Sequence, residues 1–501
     1  PDGIERRAVQ LTRGEHGVGE FFLSRDGRTI YFTSRDDDGP GLFSISIDGR
    51  DRRKLTPGTF RNLTPTYDPR MVFWSQPGGS GPGEEVHRLT LANPQRKERV
   101  TFSFSVEVDQ RGEWEQIFEE SWRVMKYRFY DPDMHGVDWD AVKATYRPLL
   151  RHVGAYEDVY DLANYMLGEL NASHMGVSGP PSVEPDRAYR TRHLGFELEP
   201  AGERYRIAHI YRNGPADKEW LNLSVGDYVL AIDGQEIRAG DNYWRILNQA
   251  MNEYVPVRVA KNERGEGARE VRIRSVTSIT DLMYEEWVAK NRELVERETN
   301  GQIGYVHIRA MNQPSLARFR NEIDELWNRK GIIVDIRYNG GGNIDQELIE
   351  ILSRRPYQYW NNRWAAPEAG RRPRQAIAGP KVMLINWRSA SDSEVTPQAF
   401  RDLGLGRIVG NPTAAAVIAT GSYELINGAR IRTPGSLVVT YDPSRPYNRG
   451  INLENFGVAP DVWAVNTPED ELRGYDRELM AAIEEVMRML REGRWQYTDS
   501  E

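Results

Sequence analysis

The chain has 501 residues, 39% hydrophobic and 28% charged, with no cysteine and a formal net charge of −8. These values exclude a disulfide framework, a thiolate metal site and a cysteine nucleophile. The acidic balance argues against nucleic acid as a partner, and no run reaches the roughly 18 apolar residues of a membrane-spanning helix, so no membrane is expected either. Length alone suggests about three to four domains.

Residues 1–100 read as short strands joined by tight turns. "FFLSRDGRTIYFTSRD" gives a strand, a turn at Asp26-Gly27 and an alternating strand over 29–33. "GLFSISIDGRDRRKLTPG" repeats the pattern with a turn at Asp48-Gly49, and a degraded second copy follows in "NLTPTYDPRMVFWSQ" and "EEVHRLTLAN". This unit resembles a blade of a β-propeller. At most about two blades fit, whereas a closed propeller needs roughly four or more. The chain also begins at Pro1 without a leader pattern. It is therefore expected to be the back part of a longer polypeptide that carries the missing N-terminal propeller part.

Residues 101–180 change to helical spacing. "EWEQIFEESWRVMKYRFYD" places Trp114, Ile117, Phe118, Trp122, Met125 and Phe129 on helical repeats. "DWDAVKATYRPLL" and "YEDVYDLANYMLGEL" add two more amphipathic helices, and this small helical domain ends on Ser173-His174.

After a linker at 181–190, residues up to 278 alternate strand, strand, short helix, strand and hairpin. This segment resembles a PDZ domain. Leu194, Gly195 and Phe196 fall where such domains cradle a peptide carboxylate, "SVGDYVLAIDGQEI" matches their central hairpin, and "DNYWRILNQAM" would flank the groove.

Residues 279–501 open with a helical stretch and then alternate strand and helix. "GIIVDIR" and "PKVMLIN" are continuous apolar runs, the mark of strands buried on both faces. The pattern predicts an α/β domain with a largely parallel sheet and a closing helix over "YDRELMAAIEEVMRMLREG". The fold class is thus multidomain α+β: partial propeller, helical domain, PDZ-like domain and α/β domain.

Four short motifs could carry chemistry. Ser391, in "WRSASDSE", follows a buried strand and lies at or just before a helix start, where a nucleophile is exposed and free N–H groups meet developing charge. Ser389, Ser391 and Ser393 also read simply as helix N-cap candidates. "YNGGGN" follows the other buried strand, and its glycines can aim backbone donors at an oxyanion, each worth about 3 kcal/mol. A phosphate loop is the other use of such a turn, but no Walker lysine follows. Among eight histidines, His174 sits best for a general base, at a loop beside Gly176. Glu454, in "NLENFGVAPD", and Ser173 are the two candidates for holding the far nitrogen of that histidine. The histidines lack metal-ligand spacing and no HExxH occurs, so neither metal nor cofactor is expected.

Together these motifs, with a PDZ-like segment between the first two, resemble the tricorn proteases, a branch of the tail-specific (C-terminal processing) serine peptidases. The resemblance covers nearly the whole chain and implies a crotonase- or ClpP-like catalytic domain. It implies Ser391 as nucleophile, His174 as base, Ser173 and Glu454 as its orienting groups, and an oxyanion hole from the backbone amides of Gly341 and Asp392. It further implies peptide substrates, a hexameric homo-oligomer and a cytoplasmic location. Relatives that cleave after basic residues use an acid downstream of the glycine run. Residues 351–367 contain none and are basic and aromatic, so an apolar or acidic P1 side chain stands beside a trypsin-like one. Two other classes compete: a non-catalytic peptide-binding PDZ/propeller scaffold, and an acyl-CoA enzyme on a related sheet. Four intact motifs disfavour the first, and the PDZ insertion with its Ser/His pair disfavours the second.

Overall fold

The computed structural model describes residues 9–12, 17–36, 38–68, 70–77, 84–91, 96–102, 107–179, 191–249, 252–326, 328–360, 363–364, 370–373, 375–441 and 450–493. The 181–190 linker lies outside them. The chain divides into two compact units, Pro1–Val108 and Asp109–Glu501.

The first unit contains two four-stranded antiparallel meanders. Phe21–Leu23, Thr29–Asp36, Gly39–Ser46 and Arg53–Pro57 form one; Arg61–Pro65, Met71–Pro77, Glu84–Thr90 and Lys97–Arg99 form the other. Gly27 and Gly49 take the positive φ, 67° and 81°, that the two Asp-Gly turns require. Leu42 of the first sheet packs with Val72, Trp74 and Leu89 of the second. Among the described residues neither sheet closes on itself.

In the second unit the first helix, Gln110–Arg128, starts at Asp109, whose side chain accepts from Gly112 N, and buries Trp114, Ile117, Phe118 and Met125. Trp139–Tyr146 and Tyr156–Gly168 complete the helical layer. Its core also takes Leu425, Ala429 and Ile431 from far down the chain. These belong to a hairpin, Ile418–Glu424 and Arg430–Leu437, whose second strand pairs antiparallel with Gly176–Ser178. The strand that follows His174 is thereby stitched to the C-terminal region. Its three-residue length explains why periodicity does not announce it.

The PDZ part is an antiparallel sheet in which Phe196–Ala201 is an edge strand, followed by Arg204–Ile210, Tyr228–Ile232, Tyr254–Ala260 and Arg269–Arg274. Its core is apolar and includes Leu194, Ile207, Val229 and Val257.

The last part is a five-stranded, all-parallel sheet in the order Ile303–His307, Gly331–Asp335, Lys381–Ile385, Arg407–Gly410, Val462–Trp463. Alternate residues feed two cores, as a strand's period of two requires. Ile332 and Val334 pack with Phe319, Leu348 and Phe400 of helices Gln313–Glu325, Asp345–Leu352 and Asp392–Asp402. Ile333 packs with Val288, Ile483 and Val486 of helices Thr280–Glu298 and Arg477–Glu492. Strand–helix junctions at the carboxyl ends of the second and third strands carry the glycine run and Ser391.

A buried ion cluster pins the first junction. Arg337, 1% exposed, meets Asp335 at 2.8 Å, Asp476 at 2.9 Å and Glu478 at 3.0 Å. It ties the strand end to the start of the terminal helix just ahead of Asn339-Gly340. Removing one partner from a buried ion cluster strands the others without water. Arg337→Met is expected to lower unfolding stability by about 3–5 kcal/mol, read by urea denaturation; a loss below about 1 kcal/mol would mean the cluster is dispensable.

Candidate active site

The three serines of "SASDS" have different surroundings. Ser389 is fully buried, donates its hydroxyl to Ile336 O at 3.0 Å and accepts Asn386 N. Ser393, also fully buried, donates to Asn339 O at 2.5 Å. Ser391 is half-buried, and its Oγ has no hydrogen-bond partner among the described residues. Its backbone takes φ 58°, ψ −122°, immediately before the helix Asp392–Asp402. A non-glycine residue in that region is held there by its surroundings.

Those surroundings are specific. Ser391 N–H is shared between Ala416 O and Glu394 Oε1, each at 3.0 Å. Glu394 is fully buried and also accepts from Ala415 N at 2.7 Å, Ala416 N at 2.8 Å and the Thr413 hydroxyl. Burial raises its pKa, and those four donors oppose the rise. The strap 413–417 is thus clamped to the turn that carries Ser391.

The glycine run lies against the same turn. A Cβ on Gly341 (φ 97°) would meet Ser391 Cβ at 2.6 Å, Ala390 O at 2.7 Å and Asp392 N at 3.0 Å. Only glycine fits there. Asn339, fully buried, organises the contact: its carbonyl accepts Ala390 N, and its side chain accepts Gly341 N at 2.9 Å and donates to Ile308 O at 2.8 Å. The Asp392 N–H, first of its helix, has no partner among the described residues. Of the two expected oxyanion donors, one is therefore free and the other is held by Asn339.

His174 sits at φ 59° in the loop between Tyr156–Gly168 and the strand Gly176–Ser178. Its Nδ1 is 2.7 Å from Ser173 Oγ, which donates in turn to Glu454 Oε2 at 2.9 Å. Because that hydroxyl proton goes to the carboxylate, Nδ1 must carry the imidazole proton and Nε2 is left as an acceptor. Glu454, 0% exposed, also accepts Ser173 N at 2.5 Å and Val417 N at 2.7 Å. Asn455 fastens the same loop by donating to Asn171 O and Ala415 O.

The structure therefore joins Ser173, His174 and Glu454 in one hydrogen-bonded chain, and Ser391, Gly341 and Asp392 in one turn. The strap 413–417 links the two: Ala416 holds Ser391 and Val417 holds Glu454. Among the described residues no hydrogen bond joins Ser391 to His174 directly. Leu194, Gly195 and Phe196 lie apart, with Leu194 in the PDZ core and Gly195 against Pro215 and Ala216. Sequence reading missed Glu394, Asn339 and the strap. A Glu three residues past the helix start was the available signal for Glu394; nothing local marks the strap.

Burial lowers the His174 pKa from its ordinary 6.5, Arg432 adds to the effect and Glu454 opposes it. A cavity of about 450 Å³ beside the loop is lined by Ala172, Met175, Gly176 and Arg432.

The sequence profiles of three families match. Peptidase family S41 covers residues 302–463, the tricorn protease C1 domain 110–168 and the tricorn protease PDZ domain 193–278. Tricorn protease homolog 1 of Streptomyces coelicolor is 32% identical over 402 residues, 77% of this chain and 36% of that protein. The chain belongs to the tricorn protease family. Tricorn protease of Thermoplasma acidophilum is 27% identical over 391 residues, 76% of this chain and 35% of that one. The putative tricorn-like protease C-terminal subunit of Sulfurisphaera tokodaii is 29% identical, covering 77% of this chain and 45% of that one. A crystal structure of the tricorn protease shares the fold at a TM-score of 0.83, with 22% identity, over 95% of this chain and 46% of that one. The chain thus spans between a third and a half of the curated tricorn relatives it matches. No helix among the described residues is long and apolar enough to cross a membrane.

The lowered imidazole pKa means that His174 stays neutral to more acidic pH than a free histidine. Arg432→Gln removes one cause and is expected to move its NMR titration midpoint upward, toward 6.5. An unchanged midpoint would show that Arg432 does not act on the ring.

Proposed function

We propose that the protein is a serine peptidase, with Ser391 as nucleophile and His174 as general base. The observation that carries this reading is the hydrogen-bonded chain Glu454–Ser173–His174, which leaves Nε2 as a proton acceptor in the same fold as one unpartnered serine on a strand-to-helix turn. Nε2 takes the proton from Ser391 Oγ as the oxygen attacks a peptide carbonyl. Ser173 and Glu454 fix the tautomer and stabilise the imidazolium. The proton then passes to the leaving amine, and water, activated by the same nitrogen, releases the acyl group. Free-enzyme hydrogen bonds of this kind are commonly long and close on substrate binding, which accounts for the open Ser391–His174 contact.

The oxyanion is received by Asp392 N–H and by the glycine run. Gly341 N–H reaches it by leaving Asn339 Oδ1, since a charged acceptor makes about twice as strong a hydrogen bond as a neutral amide. Substrates are oligopeptides or unfolded C-terminal segments. The edge strand Phe196–Ala201 suits strand addition by an extended peptide. The absence of an acid from 351–367 sets an apolar or acidic P1 side chain beside a basic one. The two meanders of the first unit serve as propeller blades completed by further chain, and the protein works as a homo-oligomer.

Ser391→Ala is expected to abolish hydrolysis of a fluorogenic peptide amide with an unchanged circular dichroism spectrum; retained hydrolysis would move the nucleophile elsewhere. Glu454→Gln turns an NH2 group toward donors that need an acceptor. It should lower kcat about a hundredfold or more with KM within about twofold. A rise in KM alone would contradict the orienting role.

A further inference from the structure

The turn between the first two helices of the second unit is strained. It holds three left-handed residues in a row, Met134 at φ 51°, His135 at 55° and Gly136 at 78°, and only the last is glycine. Non-glycine residues persist in that region where their surroundings over-determine them. Asp131 supplies the constraint. Its carboxylate accepts Asp133 N at 3.1 Å and His135 N at 2.9 Å, and its carbonyl accepts Met134 N at 3.0 Å. Asp133 O takes Gly136 N at 2.7 Å, and the buried Met134 side chain pins the turn to the helical core.

The turn aims one ring. His135 Nδ1 lies 2.7 Å from Leu170 O. A carbonyl only accepts, so Nδ1 donates, and Nε2 of the neutral ring accepts the Tyr130 hydroxyl proton. The ring stands edge-on against Phe129, with centroids 5.0 Å apart. Burial lifts the Tyr130 pKa above 10.0, and Asp131 and Glu454 add to the rise, so that hydroxyl keeps its proton. Leu170 lies just past the helix Tyr156–Gly168 and three residues before Ser173. Among the described residues its carbonyl has no other donor.

The loop that carries His174 is thus fastened at three backbone atoms. His135 holds Leu170 O, Asn455 holds Asn171 O at 3.0 Å and Glu454 holds Ser173 N at 2.5 Å. Asn455 and Glu454 are neighbours on one loop, whereas His135 reaches in from the helical layer. The fastened segment itself contains two left-handed residues, Asn171 at φ 45° and His174 at 59°. A backbone in that conformation relaxes when one of its ties is cut.

We propose that His135 is a positioning residue for His174: by holding Leu170 O it fixes the start of the histidine loop, and with it the orientation of the His174 ring. It acts through the loop backbone. Its effect on turnover rests on the peptidase reading above; its effect on the His174 ring does not.

The test uses the full chain as wild type, His135→Ala and His135→Asn. Asparagine tolerates the left-handed conformation, and its Nδ2 stands where Nδ1 of the imidazole does, so it can still donate to Leu170 O. In hydrolysis of a fluorogenic peptide amide, His135→Ala should lower kcat about fivefold or more, with KM within about twofold. His135→Asn should restore kcat to within about twofold of wild type. His135 is exposed, so both variants are expected to melt cooperatively. The readout that needs no turnover is the His174 titration by NMR, its resonance identified by its loss in His174→Ala. Burial is the largest cause of the lowered His174 pKa. A loop that relaxes in His135→Ala exposes the ring, so the midpoint should move up toward 6.5, while His135→Asn keeps the wild-type value. A kcat and a midpoint in His135→Ala that match wild type would overturn the proposal. Equal losses in the two variants, or a change in KM alone, would do the same. An inactive wild type whose midpoint moves in His135→Ala and returns in His135→Asn would defeat the peptidase reading and keep the positioning role.

Discussion

The site depends on one buried carboxylate. Glu454 has no solvent contact and takes three hydrogen bonds, two from Ser173 and one from Val417. A charge so placed is tolerated only when its lone pairs are filled, so the segments that fill them are not free to drift. Ser173 lies 281 positions before Glu454 in the chain. Joining them brings the histidine loop of the helical layer to the strap 413–417 and to the loop ahead of the last strand of the parallel sheet. The short strand Gly176–Ser178, paired with Arg430–Leu437, reinforces the junction.

A second buried acid does the corresponding work for Ser391. Glu394 occupies the N–H of Ser391 and of two strap residues, which holds Ser391 in a left-handed conformation and leaves its hydroxyl uncommitted. Neighbouring serines at 389 and 393 spend their hydroxyls on backbone carbonyls. Of three serines within five positions, two are thus committed to packing and one is left with its hydroxyl uncommitted. The division follows from which hydroxyl has an acceptor in reach, not from any difference in the residue itself.

Much of this was legible in the sequence because it is local. Buried parallel strands announce themselves as apolar runs, as at 331–335 and 381–385, and the glycine run and Ser391 are read from the turns that end them. Helices with three-to-four-residue apolar spacing, such as Gln110–Arg128 and Gln313–Glu325, were equally visible. The rest depends on long-range contacts. The hairpin 418–437 looks like an unremarkable polar stretch until its Leu425 and Ile431 enter the core of a helical layer some 300 residues earlier in the chain. In the strap "TAAAV" only Thr413 works through its side chain, and the other residues act through their backbone. Gly341 was read as a donor, but its N–H is held by Asn339, a pairing that spacing cannot reveal.

The central claim is that the Glu454–Ser173–His174 chain activates Ser391. It is tested most directly by the rate of fluorophosphonate labelling, with the modified peptide mapped by mass spectrometry, in wild type and His174→Ala. The account predicts labelling at Ser391 that is lost when the imidazole is removed. Labelling at Ser391 of equal rate in His174→Ala, or labelling at another serine, would contradict it.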